Sequence, residues 1–118
     1  MTNESIIKAI LKINPTAEVS VSGNDINTIE WHNGTTPISK ADIQAQFPIV
    51  EFDRAMADLR SKRDRLLAAS DWTQLPDTTL TNTQKQSWMQ YRTELRNITD
   101  GLSTVEDVNG VSFPVKPN

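Results

Sequence analysis

The sequence predicts an α+β fold: a small N-terminal β-hairpin module with short helices, followed by an antiparallel helical hairpin and an extended C-terminal tail. Three observations carry that expectation. Residues Glu18-Val19-Ser20-Val21-Ser22 alternate polar with β-branched side chains and run into turn residues, Gly23-Asn24-Asp25. From Ile49 to Leu67 the apolar residues recur on one broad helical stripe with charges opposite. Trp88, Tyr91, Leu95 and Ile98 then advance by three, four and three residues, a seam that must face another helix.

In chain order, Ile6, Ile10 and Ile13 fall at helical spacing, with Asn3 as the expected N-cap and Asn14-Pro15 as the stop. The stretch Ile26, Thr28 to Trp31 and His32, closed by Asn33-Gly34, reads as the second strand of a hairpin. A lone hairpin is marginal in water, so it must pack on a helix or on another chain, and its free edge offers a place for a partner strand. Ser39 stands three residues before Asp42, a helix-start signature ahead of Ile43 and Phe47. Pro48 follows, so residues 39–47 and 49–69 form either two helices or one bent one. The stripe of the second stretch is Ile49, Val50, Phe52, Met56, Leu59, Arg63, Leu66 and Leu67. Ser70-Asp71 closes it, Trp72 lies in the turn, and Leu75-Pro76 form a short apolar patch. Thr81 starts the last helix, with Gln84 as the return partner of a capping box. The short connection makes the preceding helix its antiparallel partner. Residues 99–118 show no helical period, and Val111 to Val115 read as an extended strand or docked tail. The expected divisions are 1–47, 48–100 and 101–118.

Composition narrows the function classes. Hydrophobic residues are 36% of the 118, and the mean hydropathy is −0.48, so the core must be thin. Three Trp residues, Trp31, Trp72 and Trp88, supply much of the burial capacity. A net charge of −3 argues against nucleic acid as the main ligand, since phosphate binding needs a basic face. A basic ridge at Arg60, Lys62, Arg63 and Arg65 is interleaved with Asp58 and Asp64, the pattern of an ordinary solvated helix face. The absence of cysteine removes disulfides, thiolate nucleophiles and zinc fingers. No window reaches the ~18 apolar residues of a membrane span, and the N-terminus lacks a basic leader and cleavage site. A soluble protein without membrane partners is expected.

No catalytic constellation stands out. His32 is the only histidine, and no spacing supplies a nucleophile or further metal ligands beside it. Asp71 and Asp77 flank the Trp72 turn, where fixing the turn is a more economical role than paired acid–base chemistry. An ion pair between Asp71 and an Arg of the last helix, Arg92 first, is expected. Leu66, Trp88, Tyr91 and Leu95 are the expected structural core, whereas Trp72 suits either a cap over Trp88 or an anchor for a partner. The residues thus predict a non-enzymatic protein with no cofactor and no metal, built to hold a shape and present a surface.

The run Arg63-Asp64-x-Leu66-Leu67, then Ser70-Asp71-Trp72-Thr73-Gln74-Leu75-Pro76-Asp77, then Trp88-x-x-Tyr91-Arg92-x-x-Leu95-Arg96 resembles the C-terminal domain of bacteriophage tail fibre assembly proteins, the tail assembly chaperones. The match covers residues 54–98. The first half is only loosely similar to small modules of phage tail proteins, through Ile29-Glu30-Trp31-His32-Asn33-Gly34 and Pro37-Ile38-Ser39. The resemblance implies a chaperone that binds the phage tail fibre protein in the host bacterial cytoplasm and assists its folding and trimerisation without ATP. Trp72, Leu75, Pro76, Arg92 and Arg96 are the contact residues expected on that reading. The alternative is a structural fibre or baseplate component retained in the virion. Neither reading fixes whether the free chain is a monomer.

Overall fold

The computed structural model describes residues 2–118, and the chain divides into two compact units, Met1–Asp53 and Arg54–Asn118. The fold is α+β, with a two-stranded antiparallel hairpin, several helices and a helical hairpin.

In the first unit, helix α1 (Asn3–Ile13) places Ile6, Ala9 and Ile10 on one face, all at 0% exposure. Each such isoleucine contributes ~1.5–3 kcal/mol by leaving water. Ile13, expected on the same stripe, ends the helix 40% exposed. The N-cap is Thr2 rather than Asn3: its Oγ1 accepts from the Ser5 amide at 3.1 Å. Asn3 is drawn elsewhere, its Nδ2 donating to the carbonyls of Val21 (2.6 Å) and Gly23 (2.8 Å), which ties the hairpin loop to the helix start.

The hairpin is shorter than its sequence pattern. Strands β1 (Val19–Ser20) and β2 (Glu30–Trp31) pair Val19 with Trp31 and Ser20 with Glu30. Ile26–Thr28, expected in the second strand, forms a 3₁₀ helix instead. Side chains there outcompete the ladder for backbone groups. Asp25 Oδ1 accepts from the Asn27 amide (2.8 Å), and Thr28 Oγ1 donates to the carbonyls of Asp25 (2.7 Å) and Ser22 (3.0 Å).

Pro48 resolves the two-helix alternative. Ser39 caps α2 (Lys40–Ala45) by accepting from the Asp42 amide, and α3 (Phe47–Ser70) starts after Gln46. Proline has no amide hydrogen to give the preceding turn, so the break falls just before it and Pro48 sits in the first turn of α3, where that hydrogen is not needed. Ile43 (0%) and Val50 (3%) join the α1 face to close the first core, with Val19, Val21, Trp31 and Phe47 packed at its edge. Ile49, assigned to the buried stripe of the long helix, is 46% exposed.

In the second unit, α3 runs on to Ser70, a 3₁₀ helix spans Asp71–Gln74, and α4 covers Asn82–Arg96. The capping box of α4 is present: Thr81 Oγ1 accepts from the Gln84 amide, and Gln84 Oε1 accepts from the Thr81 amide. Ile98 lies beyond the helix end, half-buried, because the chain leaves α4 at Asn97 and turns at Gly101 with φ of 75°. The segment after residue 99 is not wholly irregular. Helix α5 (Val105–Asn109) forms there on a second capping box, Thr104 with Asp107, and buries Val108. Five residues are too few to show a helical period, which is why the pattern concealed it.

Candidate functional site

The second unit is organised around one arginine. At the end of α3 the last carbonyls have no partner within the helix, and they form its negative pole. Arg92, one helix away in α4, reaches that end. Its Nη1 donates to the Leu67 carbonyl (2.8 Å) and to Ser70 Oγ (2.7 Å), and its Nη2 lies 2.9 Å from Asp71 Oδ1. Ser70, 2% exposed, also donates to the Leu67 carbonyl, and Thr73 Oγ1 donates back to the Ser70 carbonyl at 2.7 Å. The expected Asp71–Arg92 pair is therefore formed, with the Arg92 side chain 14% exposed and that of Asp71 67%.

This clamp fixes where the next residues point. Trp72 is turned edge-on to Trp88, ring centres 5.7 Å apart at 64°, and Trp88 meets Tyr91 edge-on at 5.6 Å and 89°. Such pairs add ~0.5–1.5 kcal/mol beyond the area they bury. Trp88 (4%), Tyr91 (5%) and Leu95 (0%) are the buried seam, with Leu66, Leu67, Leu80 and Phe113 packed against it. Trp72 stays 49% exposed and Leu75 54%, and Pro76 is exposed beside them. Trp72 thus both leans on the core and faces solvent. Arg92 is engaged inside the hairpin; Arg96 is exposed, its Nη2 donating to Thr93 Oγ1 at 3.1 Å.

Two contributors had no signal in the helical pattern. Phe113 packs on the seam and lies under Lys62, whose Nζ is 4.3 Å from the ring centre, so one cation of the basic ridge is held over an aromatic face. Arg63 of that ridge pairs with Asp64 at 3.0 Å. Residues 116–118 meet Trp72, Leu80, Gln84 and Trp88 around a cavity of about 540 Å³. Trp88 Nε1 is buried without a hydrogen-bond partner, a condition that costs ~1–3 kcal/mol. The motif that could have placed Phe113 is Phe113-Pro114, an aromatic side chain next to a residue that keeps the chain extended.

His32 does have a hydroxyl neighbour, against expectation: strand pairing sets Ser20 Oγ 2.7 Å from its Nε2. Both residues are exposed, and among the described residues no carboxylate orients the other ring nitrogen. A Ser–His pair needs that orienting group to act as a nucleophile and base. No group of three His, Asp or Glu side chains among the described residues is placed to hold a metal ion. No helix among them is long and apolar enough to cross a membrane.

The match to a known family falls on the same unit. The family model described as phage tail assembly chaperone protein matches residues 56–118, more than half of the chain and nearly all of the unit that carries the clamp and the aromatic seam. No curated protein and no solved structure matches the chain. The chain belongs to the phage tail assembly chaperone family, and its general role is that of a tail assembly chaperone.

Proposed function

We propose that this chaperone acts on the tail fibre protein, binding it during folding and trimerisation in the host cytoplasm without ATP or turnover. The observation that carries the reading is the exposed Trp72-Thr73-Gln74-Leu75-Pro76 turn. Its two large apolar side chains face solvent, while the backbone beneath them is fixed by Arg92, Ser70 and Thr73. Rigid aromatic anchors are the residues that dominate protein–protein binding, because little ordering entropy is lost when they dock. Fibres are β-rich and fold through long-range pairings, so their chains expose edges and apolar surface for long periods. A preformed aromatic knob shields such surface by simple binding, with Arg96 as an exposed cation on the neighbouring helix.

The test is co-expression with the tail fibre protein of the same phage, followed by size exclusion with light scattering. A fibre that becomes a soluble trimer only in the presence of this chain, and then sheds it, supports the chaperone role. A fibre that trimerises alone and retains the chain at fixed stoichiometry points to a structural subunit of the virion. Trp72→Ala is expected to stay folded, since Trp72 is half exposed, and to lose the fibre; an unfolded variant would assign Trp72 to the core instead.

A further inference from the structure

Two Asn-Gly steps stand in the chain, Asn33-Gly34 and Asn109-Gly110, and the fold treats them differently. The first is the turn that follows β2. Asn33 has φ of 53° and Gly34 φ of 76°, the pair of positive values that a tight turn demands and that Asn and Gly supply at least cost. The Thr35 amide donates to the His32 carbonyl across that turn at 3.0 Å, and both turn residues are exposed. The Asn33 side chain is held by Glu18, its Nδ2 donating to Oε2. Gly34 N–H has no acceptor among the described residues. The second step closes α5. Asn109 is the last helical residue there, and Gly110 N–H donates to the Glu106 carbonyl at 3.0 Å. Asn109 is exposed as well, so access to solvent does not separate the two steps. What separates them is the state of the glycine nitrogen.

That nitrogen is the nucleophile when an Asn-Gly step reacts. It forms a bond to the asparagine Cγ, the Cγ–Nδ2 bond breaks, and the side-chain amide leaves as ammonia with the proton that the glycine nitrogen gives up. Water then opens the cyclic imide at one of its two carbonyls, giving aspartate or isoaspartate. Glycine favours the step because no Cβ obstructs the approach. A glycine N–H already given to a helix carbonyl must first be released by local opening, and the asparagine must leave its helical dihedrals. We infer that Asn33 is a site of spontaneous deamidation, and that the same dipeptide at Asn109 is protected by its helix. The product changes the hairpin module. Aspartate places a carboxylate where an amide donated to Glu18, so a hydrogen bond becomes a like-charge contact. Isoaspartate inserts an extra methylene into the backbone of the turn itself. The inference concerns the first unit and is independent of the tail fibre reading.

The full chain, held in mildly alkaline buffer at physiological temperature and digested at intervals, is mapped by liquid chromatography with tandem mass spectrometry. Asn33 is expected to gain one mass unit and to give both aspartate and isoaspartate. Its conversion is expected to be about tenfold faster than that of Asn109, the factor set by opening one backbone hydrogen bond at Gly110. In urea the two steps are expected to convert at closely similar rates, since neither glycine nitrogen is then engaged. By NMR, the aged chain is expected to show shifted amide signals for Glu18 and Thr35, whose hydrogen bonds frame the turn, and an unmoved signal for Gln84 in α4. Asn33→Gly keeps a residue at ease with positive φ and removes the reacting amide, so its aged chain is expected to show no such shifts. The inference is overturned if folded Asn33 converts no faster than Asn109, or if it yields aspartate without isoaspartate. It is equally overturned if the difference in rate persists in urea, or if the aged Asn33→Gly chain shows the same shifts at Glu18 and Thr35.

Discussion

Residues 1–53 and 54–118 solve the problem of a thin core in opposite ways. The first unit seals aliphatic side chains completely, with Ile6, Ala9, Ile10 and Ile43 all at 0% exposure. The second relies on aromatic rings packed edge to face, and it leaves Trp72 at 49%, a buried indole donor unpaired, and a cavity beside it. Aliphatic residues fill space without polar demands, whereas Trp brings area together with a donor that needs an acceptor. The difference separates a part that holds its own shape from a part that holds a shape for something else. The family match falls on the second.

The sharpest way to break that contrast is to truncate one residue in each core. Trp88→Ala removes the ring that both Trp72 and Tyr91 lean on and is expected to cost ~3–5 kcal/mol, enough to unfold a domain of ordinary marginal stability. Ile10→Ala deletes less volume from a better sealed core and is expected to cost ~2–5 kcal/mol. Urea unfolding followed by Trp fluorescence and circular dichroism compares them. If Trp88→Ala proves no worse than an exposed substitution, the aromatic seam is not a core, and the display argument loses its support.

A smaller effect discriminates between the partners of the clamp. Arg92→Ala leaves the Leu67 carbonyl and Ser70 hydroxyl at the buried end of α3 without their charged donor, and the expected cost is ~1.5–3 kcal/mol. Asp71→Asn alters only the exposed arm of the same group and is expected to cost ~0.2–1 kcal/mol. The order is the prediction. Equal losses in melting temperature for the two variants would mean that the ion pair, rather than the helix end, is what Arg92 serves.

The same contrast explains what was legible in the sequence. The helical hairpin was readable because its seam residues, Trp88, Tyr91 and Leu95, repeat at helical spacing, and because Thr81 and Gln84 announce the helix start chemically. The Asp71–Arg92 pair followed from a turn that needs one cation. The hairpin lost most of its expected length because Asp25 and Thr28 bind backbone through their side chains, a local competition that alternation does not reveal. Thr2 took the cap that Asn3 was also suited to, since only the folded loop supplies the carbonyls that claim Asn3. Phe113 and the Ser20–His32 contact depend on residues brought together from afar, and no spacing within one element encodes them.

The smallest expected effect concerns α5, the element whose cap was missed. Asp107 accepts from the Ser103 amide (3.0 Å), the Ser103 hydroxyl (3.1 Å) and the Thr104 amide (3.2 Å). Those donors, the Ser103 amide foremost, hold its carboxyl below its usual value of 3.8. A carboxyl with a lowered folded value contributes its stabilisation above 3.8 and loses it as pH falls through that lower value. The carboxylate is fully exposed, so solvent screens the gain and the consequence is local fraying of Val105–Asn109 rather than unfolding of the unit. Amide signals of Ser103, Thr104 and Asp107, followed by NMR from about pH 5 to about pH 2, report the loss of the cap directly. Asp107→Asn should show the weakened cap at every pH and no acid step. A step of the same size in that variant would show that the Asp107 carboxylate is not its source, and would leave Thr104 as the cap without its return partner.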